Sequence, residues 1–163
     1  MRVFAPAEGD ARAFRAALGA FATGVTVITT RRLQGPMGIT ANSFASLSLD
    51  PPLVLWSPAR ASRRFEAFAG AGHFAIHVLA ADQGTLAAHF SRQGEDFDLP
   101  GVTQTASGAP MLPGCLAVFD CRREALHEGG DHAIVVGRVL QVHHQPGGAP
   151  LVFSAGAYGG FQP

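Results

Sequence analysis

The sequence TANSFAS at residues 40–46 lies between two apolar, β-branched runs, VTVIT at residues 25–29 and LVLW at residues 53–56. Short hydroxyl and amide side chains gather here in an otherwise apolar region, and Ala41 and Ala45 leave room for close approach of a backbone or a ligand. Such a segment can offer several hydrogen bonds to a flat ligand with a polar edge. The alternative interpretation is the Ser/Thr-rich edge of an ordinary strand.

Short β-branched runs separated by glycine and proline continue on both sides of this segment and predict a mainly β fold. Because many strands follow one another at short spacing, the pattern favours a β-barrel over a doubly wound parallel sheet. The predicted strands cover residues 25–30, 37–40, 44–48, 53–56, 73–79, 115–123, 133–142 and 151–154.

Three predicted helices flank these strands, at residues 10–22, 60–69 and 82–90. Asp10 and Asp82 are the expected N-caps, and Gly24 and Gly70 are the expected stops. Phe14, Leu18 and Phe21 make an apolar stripe on the first helix, and Phe65 and Phe68 are expected to face inward on the second. Residues 91–113 are rich in glycine and proline and predict a long surface loop.

Composition limits the class of protein. With 163 residues, 47% of them hydrophobic and 15% charged, the chain is expected to form a single domain over residues 1–163, with a flexible N-terminus at 1–9. Twelve basic residues balance twelve acidic ones, which removes the charge expected of a nucleic-acid-binding protein. The positive mean hydropathy of +0.18 suggests that a partner subunit covers some apolar surface.

The chain shows no secretory signal and no apolar run long enough to span a bilayer, so a cytoplasmic protein without membrane contact is expected. Cys115 and Cys121 are six residues apart in a strand-like run, which separates them by about 20 Å, beyond disulfide reach. Both are expected to point to the same face and to be small buried hydrophobic side chains.

Several other short motifs lack the structural context that their usual function requires. The glycines at residues 70–75 end a predicted helix and open a strand, the reverse of a Rossmann dinucleotide site. His73 and His77 have the spacing of a helical metal pair but lie in a strand-like segment, so no metal site is expected. No serine has the context of a nucleophile elbow, so a hydrolase is poorly supported.

Five segments, in order along the chain, resemble the flavin reductase family that forms the reductase component of two-component flavin monooxygenases. They lie at residues 14–29, 38–44, 48–55, 72–79 and 130–132. The resemblance covers about residues 12–160 and implies a mainly β fold with flanking helices, the FMN-binding split β-barrel, as a homodimer. It also implies oxidation of NADH or NADPH, with reduced FMN or FAD released to a separate oxygenase component.

By this resemblance, Thr40, Ala41, Asn42, Ser43 and Phe44 lie against the flavin ring and ribityl chain. The ring needs hydrogen-bond donors along its edge, and backbone N–H groups with Asn or Ser side chains can provide them.

The flavin phosphate is expected at the segment that precedes and enters the second helix, through Ser57, Pro58, Arg60, Ser62 and Arg63. A phosphate favours backbone amides, hydroxyls and an arginine. The alternative is that Ser62 is a helix N-cap and the arginines are ordinary surface residues.

His132 matches the family histidine beside the nicotinamide and is the predicted catalytic residue, with Asp131 orienting it. Its alternative role is that of a turn histidine before a strand. Tyr158 matches a position near the nicotinamide pocket. His89 and Phe90 are expected at the far side of the flavin, although Phe90 could instead belong to the core.

The sequence therefore predicts an NAD(P)H-dependent flavin reductase that binds its flavin loosely. Two alternatives stay open. One is a flavin-binding split-barrel protein without reductase activity, and the other is a pyridoxamine-phosphate-oxidase-like or haem-binding split barrel. The choices between FMN and FAD and between NADH and NADPH are also open.

Overall fold

Alternating β-branched residues form most of the secondary structure in the computed structural model, which describes residues 3–6 and 10–161. Of the predicted flexible segment 1–9, residues 1, 2 and 7–9 lie outside the described residues. The described helices are α1 (Ala11–Leu18), α2 (Phe65–Ala69) and α3 (Gly84–Arg92). The described strands are β1 (Thr23–Gly24), β2 (Thr26–Arg32), β3 (Gly35–Ala41), β4 (Ala45–Leu49), β5 (Pro52–Trp56), β6 (His73–Val78), β7 (Thr103–Gln104), β8 (Pro110–Met111), β9 (Ala117–Gly129), β10 (His132–His144), β11 (Leu151–Ser154) and β12 (Ala157–Gly160).

The main sheet is antiparallel and has seven strands in the order β3-β2-β6-β9-β10-β5-β4. Val27 on β2 pairs with Thr40 on β3 and with His77 on β6. A second sheet has the order β1-β11-β12, and β7 and β8 form a small hairpin. The predicted mainly β fold with flanking helices is confirmed.

The core consists of two clusters, because strand β2 is buried on both of its faces. Val27 lies in one cluster with Phe90 and Leu112, and Ile28, its neighbour in sequence, lies in the other with Trp56. Consecutive strand residues point to opposite faces, so a strand buried on both sides contributes to both clusters.

Helix α1 is shorter than predicted, ending at Leu18 instead of continuing to residue 22. The chain turns away because the oxygen of Gly19 accepts a hydrogen bond from the Ala155 N–H at 2.9 Å. Asp10 makes no side-chain capping bond. The apolar stripe of Phe14, Leu18 and Phe21 is exposed in the single chain, at 42%, 58% and 78%, and Phe21 lies beyond the end of the helix.

Helix α2 begins at Phe65, so the prediction of a helix from residue 60 is wrong. The backbone N–H of Arg60 instead donates to the oxygen of Asp131 at 2.9 Å, which holds the preceding residues in a turn. Phe65 and Phe68 are buried and Gly70 ends the helix, as predicted.

Helix α3 begins at Gly84, with Gln83 and not Asp82 at the N-cap position. The Gln83 side chain accepts a hydrogen bond from the Ala80 N–H at 3.0 Å, so it closes the turn before the helix.

The predicted surface loop at residues 91–113 contains the β7–β8 hairpin and contributes Ala109 and Leu112 to the core. The buried carboxylate of Asp120 holds this segment, because it accepts hydrogen bonds from the backbone N–H and the hydroxyl of Ser107.

Cys115 and Cys121 are buried and free, as predicted. They do not share a face, because Cys115 precedes β9 and lies in a different core cluster from Cys121. None of the helices in the described ranges is long and apolar enough to cross a lipid bilayer.

Candidate functional site

Two cavities meet at the end of β3, and together we call them the Asn42 groove. The first has a volume of about 190 Å³ and includes Thr40, Ala41, Ser91 and Tyr158 in its wall. The second has a volume of about 500 Å³ and runs beneath α1. Asn42 and Phe153 line both cavities, so the two cavities form one groove with aromatic walls and a polar edge. The residues that line the second cavity are Arg15, Leu18, Gly19, Phe21, Thr23, Asn42, Ser43, Phe44, Ala45 and Phe153.

Most hydroxyl groups beside the groove are already used to hold its backbone. The Thr40 hydroxyl donates to the oxygen of Ala87 at 2.6 Å, and the Thr26 hydroxyl donates to the oxygen of Ala41 at 2.6 Å. The Asn42 side chain is exposed and has no hydrogen-bond partner among the described residues. Its amide is therefore the group most available to a ligand.

The predicted ring segment and the predicted phosphate segment are in contact. The Ser43 hydroxyl oxygen accepts a hydrogen bond from the Ser57 N–H at 2.9 Å. The oxygen of Pro58 in turn accepts a hydrogen bond from the Ala133 N–H at 3.1 Å, and residues 59 and 132 form an isolated β-bridge. These bonds bring together the segments containing Asn42, Ser62 and His132.

The predicted phosphate ligands differ in what they can offer. Arg60 forms an ion pair with Glu128 and lies 5.2 Å from the Phe65 ring centre, so its charge is partly satisfied. The Ser62 hydroxyl oxygen accepts a hydrogen bond from the Arg64 N–H at 3.2 Å, which leaves its own O–H free to donate. Arg63 is exposed and has no hydrogen-bond partner among the residues described.

Arg64 is a residue that the sequence analysis missed. Its guanidinium donates to the oxygens of Gly38, Phe90 and Ser91, and so joins β3 to the end of α3. Burial lowers the pKa of this guanidinium from its usual value. In the sequence Arg64 is simply a second arginine after Arg63, and nothing there indicates which of the two side chains turns inward.

His132 and Asp131 form a hydrogen-bonded pair with 2.8 Å between the imidazole Nδ1 and the carboxylate Oδ1. The hydrogen bond to His132, reinforced by the charge of its ring, lowers the pKa of Asp131. Because Asp131 holds Nδ1, the other ring nitrogen is the one left for a ligand. His132 does not line the Asn42 groove in the single chain, so its catalytic role stays a prediction.

Phe90 and His89 are not brought to the groove. The Phe90 ring is fully buried and packs 4.9 Å from the Phe97 ring, as its core alternative expects, so its contact with flavin stays a prediction. The His89 imidazole lies 2.9 Å from the oxygen of Asp96, at a separate cavity. Each helical residue is rotated by about 100° from the last, so Ser91 lines the groove instead.

Tyr158 lies in the groove wall, and its place beside the nicotinamide stays a prediction. Its ring centre is 5.6 Å from that of Phe153, and its side chain is 43% exposed. Phe153 is a second aromatic wall residue that the sequence analysis did not single out, because it belongs to the apolar run of β11.

Comparison with known proteins gives three results. Residues 18–162 match the model of the family described as Flavin reductase like domain. The chain is 57% identical over 159 residues to the FMN reductase (NADH) SmoA of Agrobacterium fabrum, with 98% of this chain and 91% of that protein covered. It is 43% identical over 155 residues to HsaB of Rhodococcus jostii, the reductase subunit of a flavin-dependent monooxygenase, with 94% of this chain and 80% of that protein covered.

The fold also matches a solved structure of the NADH:FAD oxidoreductase SgcE6 of Streptomyces globisporus in complex with NAD and FAD fragments. The TM-score is 0.91 at 35% sequence identity, and the match covers 100% of this chain and 98% of that one.

Proposed function

This chain belongs to the flavin reductase family, and we propose that it reduces FMN or FAD with NADH or NADPH for use by a separate monooxygenase component. The observation that carries the proposal is the Asn42 amide, which has no hydrogen-bond partner within residues 3–6 and 10–161 and lies at the junction of two aromatic-walled cavities. The relatives named above support the reaction, since one is an FMN reductase using NADH and another is a monooxygenase reductase subunit.

The groove fits a flavin by the chemistry of its donors. The Asn42 amide and the backbone of Ala41, Ser43 and Phe44 would hold the polar edge of the ring. Phe153 and Tyr158 would supply the apolar contacts that a flat aromatic ligand requires. Thr40 acts through its bond to Ala87, as a positioning residue. A bound flavin would supply the hydride-accepting ring, and the protein's task is to align it with the nicotinamide.

The phosphate would be held by the segment that includes Ser57, Pro58, Arg60, Ser62 and Arg63. Ser62 and Arg63 are the strongest candidates, because the Ser62 O–H is free to donate and the Arg63 guanidinium has no partner within the described part of the chain. Arg60 would have to leave Glu128 to take part. His89, which bonds to the loop oxygen of Asp96, keeps only an indirect role in shaping the end of α3.

His132 would bind the nicotinamide carboxamide. In the neutral imidazole, Nδ1–H donates to Asp131, and Nε2 is an acceptor for the carboxamide N–H. This role predicts that the residue affects the nicotinamide more than the flavin.

The test is oxidation of NADH and NADPH by the purified chain under air, with and without added FMN or FAD. Turnover that rises with free flavin supports the reductase, and folded protein that oxidises neither nucleotide contradicts it. His132→Ala should raise the KM for the nucleotide or slow turnover while leaving the flavin Kd nearly unchanged. His144→Ala, on an exposed histidine far along β10, is the control. Coupling with a monooxygenase component then tests whether reduced flavin is handed over.

We also propose that the chain forms a homodimer. Helix α1 contains no buried residue. Its side chains Phe14 and Leu18 are exposed, as is Phe21 beyond its end, and the Leu49 side chain on β4 is 97% exposed. Together they leave an apolar surface uncovered. Sedimentation should give the mass of two chains, and Leu18→Glu should shift the mass towards one. Arg12→Glu on the same helix is the control, and a wild-type monomer at micromolar concentration would contradict the proposal.

The same reasoning extends to the architecture and location. We propose a split barrel in a single domain over residues 1–163, supported by bulges in the β9–β10 pair that let a sheet curve. Calorimetry should show one unfolding transition, and a crystal structure should show the curved sheets. The two free thiols favour the reducing cytoplasm, which fractionation of cells would test.

A further inference from the structure

One arginine of helix α1 faces the second cavity of the Asn42 groove. Arg15 lines this cavity together with Asn42 and Phe153. Of the described residues that line either cavity of the groove, it is the one that carries a charge. Arg15 is exposed, and its guanidinium makes no hydrogen bond or ion pair within the described part of the chain. Its five N–H donors are therefore available to a ligand.

A second polar group in the same cavity also lacks a partner. The Thr23 hydroxyl oxygen is buried and makes no hydrogen bond among residues 3–6 and 10–161. Buried hydroxyl groups in folded proteins usually have a partner, so a polar ligand atom or a water is expected beside this one. Thr23 pairs with Phe153 across β1 and β11, and Phe153 lines both cavities. The hydroxyl is therefore a second donor in the part of the groove that Arg15 lines.

The charge of Arg15 reaches the Asp131–His132 pair. The pKa of Asp131 is lowered chiefly by its hydrogen bond to His132, and the positive charge of Arg15 adds to the lowering. Because solvent and salt screen exposed charges over about 10 Å, such an effect requires the two side chains to be near one another. Asn42 lines the same cavity as Arg15. The guanidinium is therefore close both to the proposed flavin edge and to the residue proposed to bind nicotinamide.

Arg15 is also separate from the proposed position of the flavin phosphate. Arg63, the strongest cationic candidate for that phosphate, lines two other cavities, and neither shares a lining residue with the second cavity of the groove. A flavin with its ring at Asn42 and its phosphate near Arg63 would leave Arg15 to the other substrate. That substrate is a dinucleotide with an anionic pyrophosphate, and arginine binds phosphate oxygens through parallel N–H donors.

We propose that Arg15, together with the Thr23 hydroxyl, binds the pyrophosphate of the nicotinamide nucleotide. The pyrophosphate takes no part in hydride transfer, so this contact is equally strong in the ground state and in the transition state. It should therefore act on the KM for the nucleotide and leave kcat nearly unchanged. NADH and NADPH share the pyrophosphate, so Arg15 should affect both alike. This inference rests on the proposed reductase function.

The first experiment measures flavin-dependent NADH oxidation by the wild type, Arg15→Gln, Arg15→Lys and Arg12→Gln. Arg12 is an exposed arginine of the same helix that does not line the groove, and it is the matched control. Arg15→Gln should raise the KM for NADH about tenfold, the size of one charge-assisted hydrogen bond. The kcat and the FMN Kd should change less than about twofold. Arg15→Lys should recover part of the loss because it keeps the charge, and Arg12→Gln should match the wild type.

Two further measurements separate the charge from the hydroxyl. Added salt should raise the KM of the wild type and have less effect on Arg15→Gln, because that variant has lost the charge that salt screens. Thr23→Val replaces the hydroxyl with a methyl group. It should raise the KM for NADH about threefold, the size of one neutral hydrogen bond, and leave the salt dependence as in the wild type.

The second experiment uses ADP-ribose, which carries the pyrophosphate without the nicotinamide ring. In calorimetry it should bind the wild type, and it should bind Arg15→Gln about tenfold more weakly. His132→Ala should bind it as the wild type does, because His132 is proposed to contact only the carboxamide. Since this readout needs no turnover, it separates failure of the Arg15 assignment from failure of the reductase assignment.

Four results would overturn the proposal. A higher FMN Kd in Arg15→Gln with an unchanged riboflavin Kd would assign the arginine to the flavin phosphate. A larger rise in the KM for NADPH than in that for NADH would assign it to the 2′-phosphate. A shift of Arg15→Gln towards the mass of one chain in sedimentation would attribute the raised KM to subunit association. Unchanged ADP-ribose affinity in Arg15→Gln would remove the residue from nucleotide binding.

Discussion

The Thr40 hydroxyl donates a hydrogen bond to the backbone oxygen of Ala87 at 2.6 Å and so fixes the floor of the Asn42 groove to helix α3. Thr40→Val keeps the shape of the side chain and removes this donor. We expect it to lower the free energy of unfolding by about 1 kcal/mol and to raise the flavin Kd severalfold, because β3 can then move against α3. Urea unfolding and flavin titration measure the two effects. Thr40→Ser retains the donor and is the control; a flavin Kd that rises equally in both variants would contradict the positioning role.

Gly38 is predicted to tolerate no side chain. A Cβ at this position would lie 2.5 Å from Cδ1 and 2.7 Å from Cε1 of the buried Phe90 ring. Gly38→Ala should therefore lower the free energy of unfolding by about 1–3 kcal/mol through overpacking. Gly84→Ala, in open space at the start of α3, should be neutral or slightly stabilising. Thermal unfolding of the two variants side by side checks the contrast, and similar stabilities would refute it.

His77 should make the protein sensitive to acid. Its Nδ1 lies 2.9 Å from the Val27 oxygen, and its Nε2 accepts a hydrogen bond from the Leu112 N–H at 3.2 Å. Burial, only partly offset by the bond to Val27, lowers the pKa of His77 from 6.5 to about 4. A proton added at Nε2 would face the Leu112 N–H, so the folded state favours the neutral ring.

The direction of the pH effect follows from this lowered pKa. The unfolded chain binds the proton more readily, so the contribution of His77 is complete above pH 6.5 and is lost as the pH falls towards 4. The loss should be of the order of 3 kcal/mol across this window. Urea unfolding of the wild type, His77→Gln and the exposed control His144→Gln would show it. A pH slope that persists unchanged in His77→Gln would assign the effect to other groups.

The two cysteines should be unreactive in the folded protein. Burial raises the pKa of the Cys115 thiol to about 11 and, with the nearby charge of Asp120, that of Cys121 to about 12. Neither thiol is therefore a thiolate at neutral pH, and thiolates are the reactive form. A thiol reagent should label none of the native protein within minutes and both cysteines in urea. Rapid labelling of one residue in the native state would show that its cluster opens locally.

The strands were predictable because alternation reports which residues face a core, and β2, β5 and β11 lie where the pattern placed them. The helix ends were not, because they depend on distant partners. Gly19 ends α1 by accepting a bond from Ala155, and the residues before α2 form a turn because Arg60 bonds to Asp131.

The same division applies to the site. Asn42 and Tyr158, which the resemblance selected, do line one cavity, but which ligand each contacts stays a prediction. Phe90 could not be separated from Ser91 without knowing the rotation of α3 about its axis. Residues 63 and 64 are both arginine, so the sequence does not show which of them turns inward. Packing decides that Arg64 turns towards the backbone oxygens of β3 and α3.

Helix α1 forms a wall of the Asn42 groove with Leu18, and it exposes Phe14 and Leu18 in the single chain. A partner subunit that covered this helix would therefore also restrain the groove, so dimerisation and flavin binding would share one free energy of coupling. Flavin affinity measured at nanomolar protein should then be weaker than affinity measured at high protein concentration. A titration at one protein concentration would measure the intrinsic flavin affinity and the coupling to dimerisation as a single value.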